Sequence, residues 1–164
     1  MRSGRLLSQL TAHTLATVRP RDEVAVFITR RAGRVVLLVH RVPKHGDYWH
    51  VVAGGVEPGE TAAQAAQREM REETTLEAPL RSGVGITEYM DARDGEPAEQ
   101  PTENDPLIVG VHIDCFCVEA SDGWEPTLNW EHDSHRWCSP TAAVRALRWP
   151  ATAEALGTLL QISP

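Results

Sequence analysis

The chain is short of the features that would put it in a membrane, outside the cell or on nucleic acid. No apolar run approaches the ~20 residues needed to span a bilayer, so no membrane association is expected. The opening MRSGRLLSQL is basic but lacks the apolar core of a signal peptide. Cysteine is scarce and odd in number, three in all, which fits a reduced cytoplasmic protein better than a disulfide scaffold. Positive charge is in deficit, with 16 Lys and Arg against 23 Asp and Glu and a net charge of −7. That balance argues against a nucleic-acid backbone as partner, although a bound metal would reverse the sign locally. What remains is an ordinary globular composition, 41% hydrophobic and 24% charged over 164 residues, enough for one domain (1–164) with a core of its own.

The order of patterns suggests an α/β chain. Residues 1–20 read as a weakly helical lead-in segment ending at Pro20. Val24–Ile28 and Val35–Val39 are continuous apolar, β-rich runs around a glycine-containing loop, which predicts a hairpin whose strands are covered on both faces. Residues 41–55 read as a loop with a short apolar piece, Trp49–Ala53. Pro58-Gly59 marks a turn, and Thr61 with Gln64 three residues later fits a capping box opening a helix. Strands are expected at Val84–Met90, Leu107–Val118 and, briefly, Arg136–Cys138. Between the first two, residues 91–105 (DARDGEPAEQPTEND) are acidic and rich in turn formers, hence a long exposed loop. Ser139-Pro140 opens a further helix in the cap-then-proline order, and residues 150–161 supply one more. Helices on either side of a sheet that need not be purely parallel make a single α/β/α sandwich with a mixed sheet.

The helix after Thr61 carries the chemistry. Arg68-Glu69-Met70-Arg71-Glu72-Glu73 crowds like charges, which is unfavourable on a helix. At about 100° per residue, Glu69, Glu72 and Glu73 fall within an arc of roughly 100°, while Ala62, Ala66 and Met70 occupy the neighbouring arc and can pack on the sheet. Three carboxylates facing one point suit a hard divalent cation such as Mg²⁺. The cluster contains no His or Cys, which disfavours zinc. A solvated acidic face, with Arg68 and Arg71 as ion-pair partners, is the plain alternative.

Spacing upstream favours the metal site. Gly54, five residues, Glu60, seven residues, then Arg-Glu-Met-x-Glu-Glu-x-Thr-Leu resembles the signature of the Nudix hydrolase family. Gly54, Glu60, Arg68, Glu69, Met70, Glu72, Glu73 and Leu76 match its fixed positions, and the remaining one, normally glycine, is Thr75. The resemblance implies hydrolysis of a diphosphate linkage in a small phosphoanhydride, with water and usually Mg²⁺ (Mn²⁺ as a substitute). It makes Glu69, Glu72 and Glu73 the metal ligands, with Glu69 or a neighbour orienting the attacking water. Gly54 would offer a backbone carbonyl to the metal and Gly55 a close approach of the chain. Arg68 would fix the carboxylates by hydrogen bonds, and Glu60 at the helix start would be mainly structural. Thr75 follows the helix where glycine commonly turns left-handed, so a different local turn is expected there.

Outside this stretch the signals thin out. Glu131, in Asn129-Trp130-Glu131-His132-Asp133, stands where several members of the family place a loop glutamate that binds metal or acts as base; a solvated turn is the alternative. Arg41 and Lys44 are candidates for the distal phosphates. Tyr48, Trp49 and Trp130 could stack on a base or pterin ring, with Trp49 better suited to the core. Cys115 and Cys117 share one face of a strand and read as buried thiols. Of the histidines, only His50 and His132 lie near the site. The run Tyr48–Gly55 with Glu131-His132 before Arg136-Trp137 looks similar to members that act on dihydroneopterin triphosphate. A dinucleoside polyphosphate of the Ap4A type is the second substrate in line, and a non-catalytic nucleotide-binding sensor is the reading of another class. Monomer and homodimer both stay open.

Overall fold

The apolar runs near the start become the centre of the sheet. The computed structural model describes residues 22–81 and 83–162, so the lead-in segment 1–20 falls outside them. β1 (Glu23–Arg30) and β2 (Val35–Arg41) form the expected antiparallel hairpin. Its loop carries Arg31, Ala32 and Gly33 at positive φ, and a Cβ on Gly33 would stand 2.9 Å from Leu160. The hairpin is short-lived: pairing covers Thr29–Val36 and Arg30–Val35 before the strands part. β1 then pairs with β4 (Val52–Gly55) on one side and, in parallel, with β7 (Ile108–Glu119) on the other. β2 takes β3 (Trp49–His50) and β8 (His132–Cys138) as its neighbours. Beyond β7 come β5 (Gly83–Asp91) and the two-residue β6 (Pro97–Ala98), giving the order β3-β2-β1-β7-β5-β6 in one mixed sheet.

Both faces of the sheet are covered, as the unbroken apolarity of β1 and β2 requires. Val24, Val26 and Ile28 point to one side, where they meet Ala65, Ala66 and Met70 of α1 (Ala62–Thr74). Ala25 and Phe27 point to the other, against Ala143 of α2 (Pro140–Ala146) and Ala155, Leu156 and Leu159 of α3 (Pro150–Ile162). The fold is therefore the expected α/β/α sandwich. Among the described residues no helix is long and apolar enough to cross a membrane.

Three boundaries differ from the sequence reading. The 41–55 loop holds a short 3₁₀ turn, Pro43–His45, followed by β3 and β4, because backbone pairing with β2 and β1 organises a stretch whose own pattern is weak. β8 begins at His132 instead of Arg136; its polar first half lies on β2 with His132 buried and Asp133 and Ser134 exposed, which alternation in apolarity cannot reveal. The acidic segment 91–105 is largely exposed, yet Pro97–Ala98 return to pair with Tyr89 and Met90, and Arg148 holds Glu96.

A candidate active site where one helix meets the edge of the sheet

The Pro58-Gly59 turn delivers the chain to Thr61, whose hydroxyl accepts from Gln64 N at 3.2 Å while the Gln64 side chain accepts from Thr61 N at 2.9 Å. This capping box starts α1 where the sequence places it. Glu60, just before the cap, takes Arg68 in a fork: Nε donates to Oε1 at 2.8 Å and Nη2 to Oε2 at 3.0 Å. That partnership, with a backbone bond from Glu57, holds the Glu60 carboxyl at about 2. The same guanidinium donates to Glu69 Oε1 at 2.6 Å, Glu72 Oε2 at 3.5 Å and the Gly55 carbonyl at 2.9 Å. Arg68 thus ties the loop, the helix and β4 together from one planar group.

The three clustered glutamates have unlike surroundings. Glu72 is exposed, with 55% of its side chain accessible, whereas Glu69 retains 13%. Glu73 is buried between α1 and β4, where one oxygen accepts a long bond of 3.4 Å from Ala53 N and the other, Oε1, has no partner. Burial first, and then the negative charges of Glu69 and Glu131, push its carboxyl well above the ordinary range; Arg41 works in the opposite direction. Burial also raises Glu69, against the pull of Arg68. Glu131, in the turn before β8, accepts from Arg41 Nη2 at 3.2 Å.

Gly54 explains how a helix on one face of the sheet reaches the other. A Cβ there would lie 2.1 Å from Glu69 Oε1, so only glycine lets that carboxylate cross the edge of β4. The close approach expected of Gly55 thus belongs to Gly54, while the Gly55 carbonyl is engaged by Arg68. At the helix end, Thr75 adopts φ 64° and donates its N–H to the Arg71 carbonyl. The expected departure in the turn does not occur: threonine takes the left-handed conformation that glycine favours.

Glu69 emerges into a cleft of about 430 Å³. The structure brings Arg41, Tyr48, Gly54, Glu69 and Glu131 to its walls, together with His45 and His50. Lys44 is exposed on the 3₁₀ turn and does not line it, nor does Trp49, which packs on the core beneath the Arg136 guanidinium, 4.3 Å from its ring centroid. Trp130 is 72% exposed and meets His45 edge-on. Cys115 and Cys117 are buried, as expected. Burial, with Arg41 next, brings His50 down to about 3 and His132 to about 4, so both are neutral imidazoles near neutrality. Sequence reasoning missed the far wall: Glu88 and Met90 of β5, Val111 and Ile113 of β7, and Trp149 with Thr152 at the start of α3. A carboxylate at an inward position of an alternating strand was the available signal for Glu88.

The oxygen-only donor set fits a hard divalent cation. Glu69, Glu73 and Glu131 crowd their charges, and a buried carboxylate oxygen is left without a partner, which is the deficit such an ion would fill. Among the described residues, no three His, Cys, Asp or Glu side chains already stand gathered as a metal cage; Arg68 holds Glu69 and Glu72 instead.

The chain is similar in sequence and in fold to several known proteins. The NUDIX domain family model matches residues 19–159. The chain is 34% identical over 128 residues to an octanoyltransferase of Myxococcus xanthus, covering 74% of this chain and 31% of that protein. It is 42% identical over 59 residues to the dihydroneopterin triphosphate diphosphatase of Escherichia coli K12, covering 36% of this chain and 38% of that one. The chain thus spans about a third of the length of these curated relatives. Among solved structures, a C. elegans Ap4A hydrolase superposes with a TM-score of 0.66 at 19% identity, over 87% of this chain and 96% of that one.

Proposed function

The chain belongs to the NUDIX domain family, and on that premise we propose that it is a Mg²⁺-dependent pyrophosphohydrolase acting on a small phosphoanhydride. The observation that carries this reading is the buried Glu73 carboxylate, with an unpartnered oxygen, whose charge is felt by Glu69 and Glu131 on the wall of an open cleft. Glu69, Glu72 and Glu73, with the Gly54 carbonyl, would hold the cation. When bound, Mg²⁺ (or Mn²⁺) supplies neutralisation of the diphosphate charge and a more acidic water.

The remaining work falls to side chains in the cleft. Glu131 or Glu69 takes the proton of the attacking water. Arg41, already held by Glu131, stands ready for a phosphate oxygen. Arg68 orients the glutamates without reaching the substrate, since its five donors are committed to Glu60, Glu69, Glu72 and Gly55. Tyr48 flanks the organic part of the substrate; Lys44 and Trp49 lie off the cleft, and we give them no part in binding.

Dihydroneopterin triphosphate is the first substrate to try and a dinucleoside polyphosphate the second, in keeping with the names of two of the similar proteins. The unpaired cysteines fit a cytoplasmic chain. The test is phosphate or pyrophosphate release from these compounds and common nucleotides with Mg²⁺, beside Glu72→Gln and Glu73→Gln. Equal turnover by wild type and both variants would remove the metal-site assignment. Tight nucleotide binding without turnover of any compound would favour a sensor over an enzyme.

A further inference from the structure

We propose that Glu88 reads the ring of the substrate, selecting an edge that offers a ring N–H beside an exocyclic amino group, the edge shared by guanine and pterin. The inference rests on the pyrophosphohydrolase reading for the position of the phosphates and deepens it at the opposite end of the cleft.

Glu88 faces the same side of the sheet as its cross-strand partner Val111 and its strand neighbour Met90, and with Ile113 they form an apolar wall. It is only 6% exposed, yet it lines the cleft. Its donors are all neutral: Thr152 N at 2.6 Å and Thr152 Oγ1 at 2.8 Å on Oε1, and Ala151 N at 3.4 Å on Oε2. A carboxylate has about four acceptor sites, so Oε2, with one long contact, keeps capacity that no cationic side chain has claimed. Neighbouring N–H donors on a flat ring can converge on such an oxygen, and a hydrogen bond to a charged acceptor in an apolar surround is strong and selective. Trp149 and Tyr48 line the same space and offer aromatic surface to the ring.

Placement agrees with a substrate that is phosphorylated at one end. From Gly54 on β4 the path to Glu88 crosses β1 and β7 to β5. Those three strand steps span about 14 Å, which leaves room for a sugar or a short side chain between ring and phosphates. Rings that present a carbonyl at this edge would face a carboxylate with no proton between them.

Glu88 also caps α3, because Trp149, just before Pro150, has no side chain able to do so. Glu88→Gln separates the two roles: its amide oxygen still accepts from Thr152 N, while the charge is gone. The full chain is tested with Mg²⁺ on GTP, ATP, CTP, UTP and dihydroneopterin triphosphate. In parallel, calorimetry measures binding of α,β-methylene analogues of GTP and ATP. The wild type is expected to favour GTP, dihydroneopterin triphosphate or both over ATP and UTP by about 10- to 100-fold in kcat/KM. Glu88→Gln should collapse that ratio by lowering the GTP and pterin arms most, with a melting temperature much closer to wild type than that of Glu88→Ala, because Thr152 N keeps an acceptor. Whichever of the GTP and pterin arms shows the larger preference identifies the source of the ring.

A wild type without preference, or a variant that weakens every compound equally, overturns the proposal while leaving the enzyme reading intact. Analogue binding with the expected ratio but no turnover of any compound overturns the enzyme reading and keeps Glu88 as the selector. Failure to bind either analogue, with no preference for the pterin compound, counts against Glu88.

Discussion

Two glutamates are buried to nearly the same degree, Glu73 at 1% exposure and Glu88 at 6%, one behind the cleft and one on its wall, and they are in opposite condition. Glu88 receives two bonds from Thr152 and one from Ala151, at the positive end of α3. Glu73 has a single long bond to Ala53 N, an orphaned oxygen, and the negative charges of Glu69 and Glu131 nearby. Residue type and burial are alike; completeness of solvation is not. The better-satisfied carboxylate holds a helix in place with capacity to spare on Oε2, and the poorly satisfied one is where the proposed cation would bind.

The largest effect expected from this contrast is on turnover. Glu73→Gln should lower kcat/KM with Mg²⁺ by roughly 10³-fold, the several kcal/mol that a correctly held metal supplies. Without metal, the melting temperature of the same variant should match or exceed wild type, because a poorly compensated buried charge has been removed. Wild type should gain about 2.7 kcal/mol of stability at a Mg²⁺ concentration one hundred times its Kd, and the variant much less. Thermal unfolding with and without Mg²⁺ reads both. A variant that melts well below wild type in metal-free buffer would mean that Glu73 is structurally satisfied after all.

Glu88→Ala should behave in the reverse manner. With the N–H groups of Ala151 and Thr152 left buried or half-buried, a loss of about 2–4 kcal/mol is expected, independent of Mg²⁺. In a chain of this size that is a fall of roughly 5–15 °C in Tm. A drop confined to the metal-bound form would erase the distinction between the two glutamates.

His50 gives the cleft a pH signature. Burial, then Arg41 and His132, hold its folded value at about 3 against an ordinary 6.5. The unfolded chain therefore binds the extra proton between those values, and stability is complete above pH 6.5 and lost as pH falls toward 3. His50 alone accounts for a slope of up to about 1.4 kcal/mol per pH unit in that window. Glu69 and Glu73 act oppositely, since their raised folded values mean that protonation on acidification relieves their burial. Comparing wild type with His50→Gln by urea unfolding from pH 7 to 4 isolates the histidine. Parallel curves would show that His50 titrates normally.

How much of this was readable from residues alone follows from how local each feature is. The capping box at Thr61, the arc of Glu69, Glu72 and Glu73 and the β1–β2 hairpin depend on neighbours a few residues away, and the sequence shows them. Glu88 meets its partner 64 residues further on, so no window of sequence discloses that it caps α3. The burial of Glu73 and the exposure of Glu72, adjacent on one helix, come from where β4 lies; the helical wheel puts them on one arc and cannot rank them. Trp49 could serve the cleft or the core, and pairing of His40 with Trp49 between β2 and β3 decides for the core.

Thr75 is the smallest test of the same principle, a group placed where its chemistry is uncomfortable and made tolerable by its surroundings. Its φ of 64° costs a β-branched residue about 1–2 kcal/mol relative to a right-handed conformation. Its neighbours supply the compensation. Thr74 Oγ1 donates to the Met70 carbonyl at 2.6 Å and accepts from Leu76 N at 3.3 Å, and the Leu76 side chain is buried against the α1 face of the sheet. Thr75→Gly removes the strain but also frees the unfolded chain, so the two effects largely oppose. A net gain of about 0.5–1 kcal/mol is expected, or roughly 2–3 °C in Tm, with turnover unchanged because the side chain is exposed and off the cleft. A loss of stability would show that the threonine side chain contributes to the helix end more than its backbone conformation costs. A change in kcat at constant stability would mean that the exit turn, and not only the carboxylates before it, sets the geometry of the site.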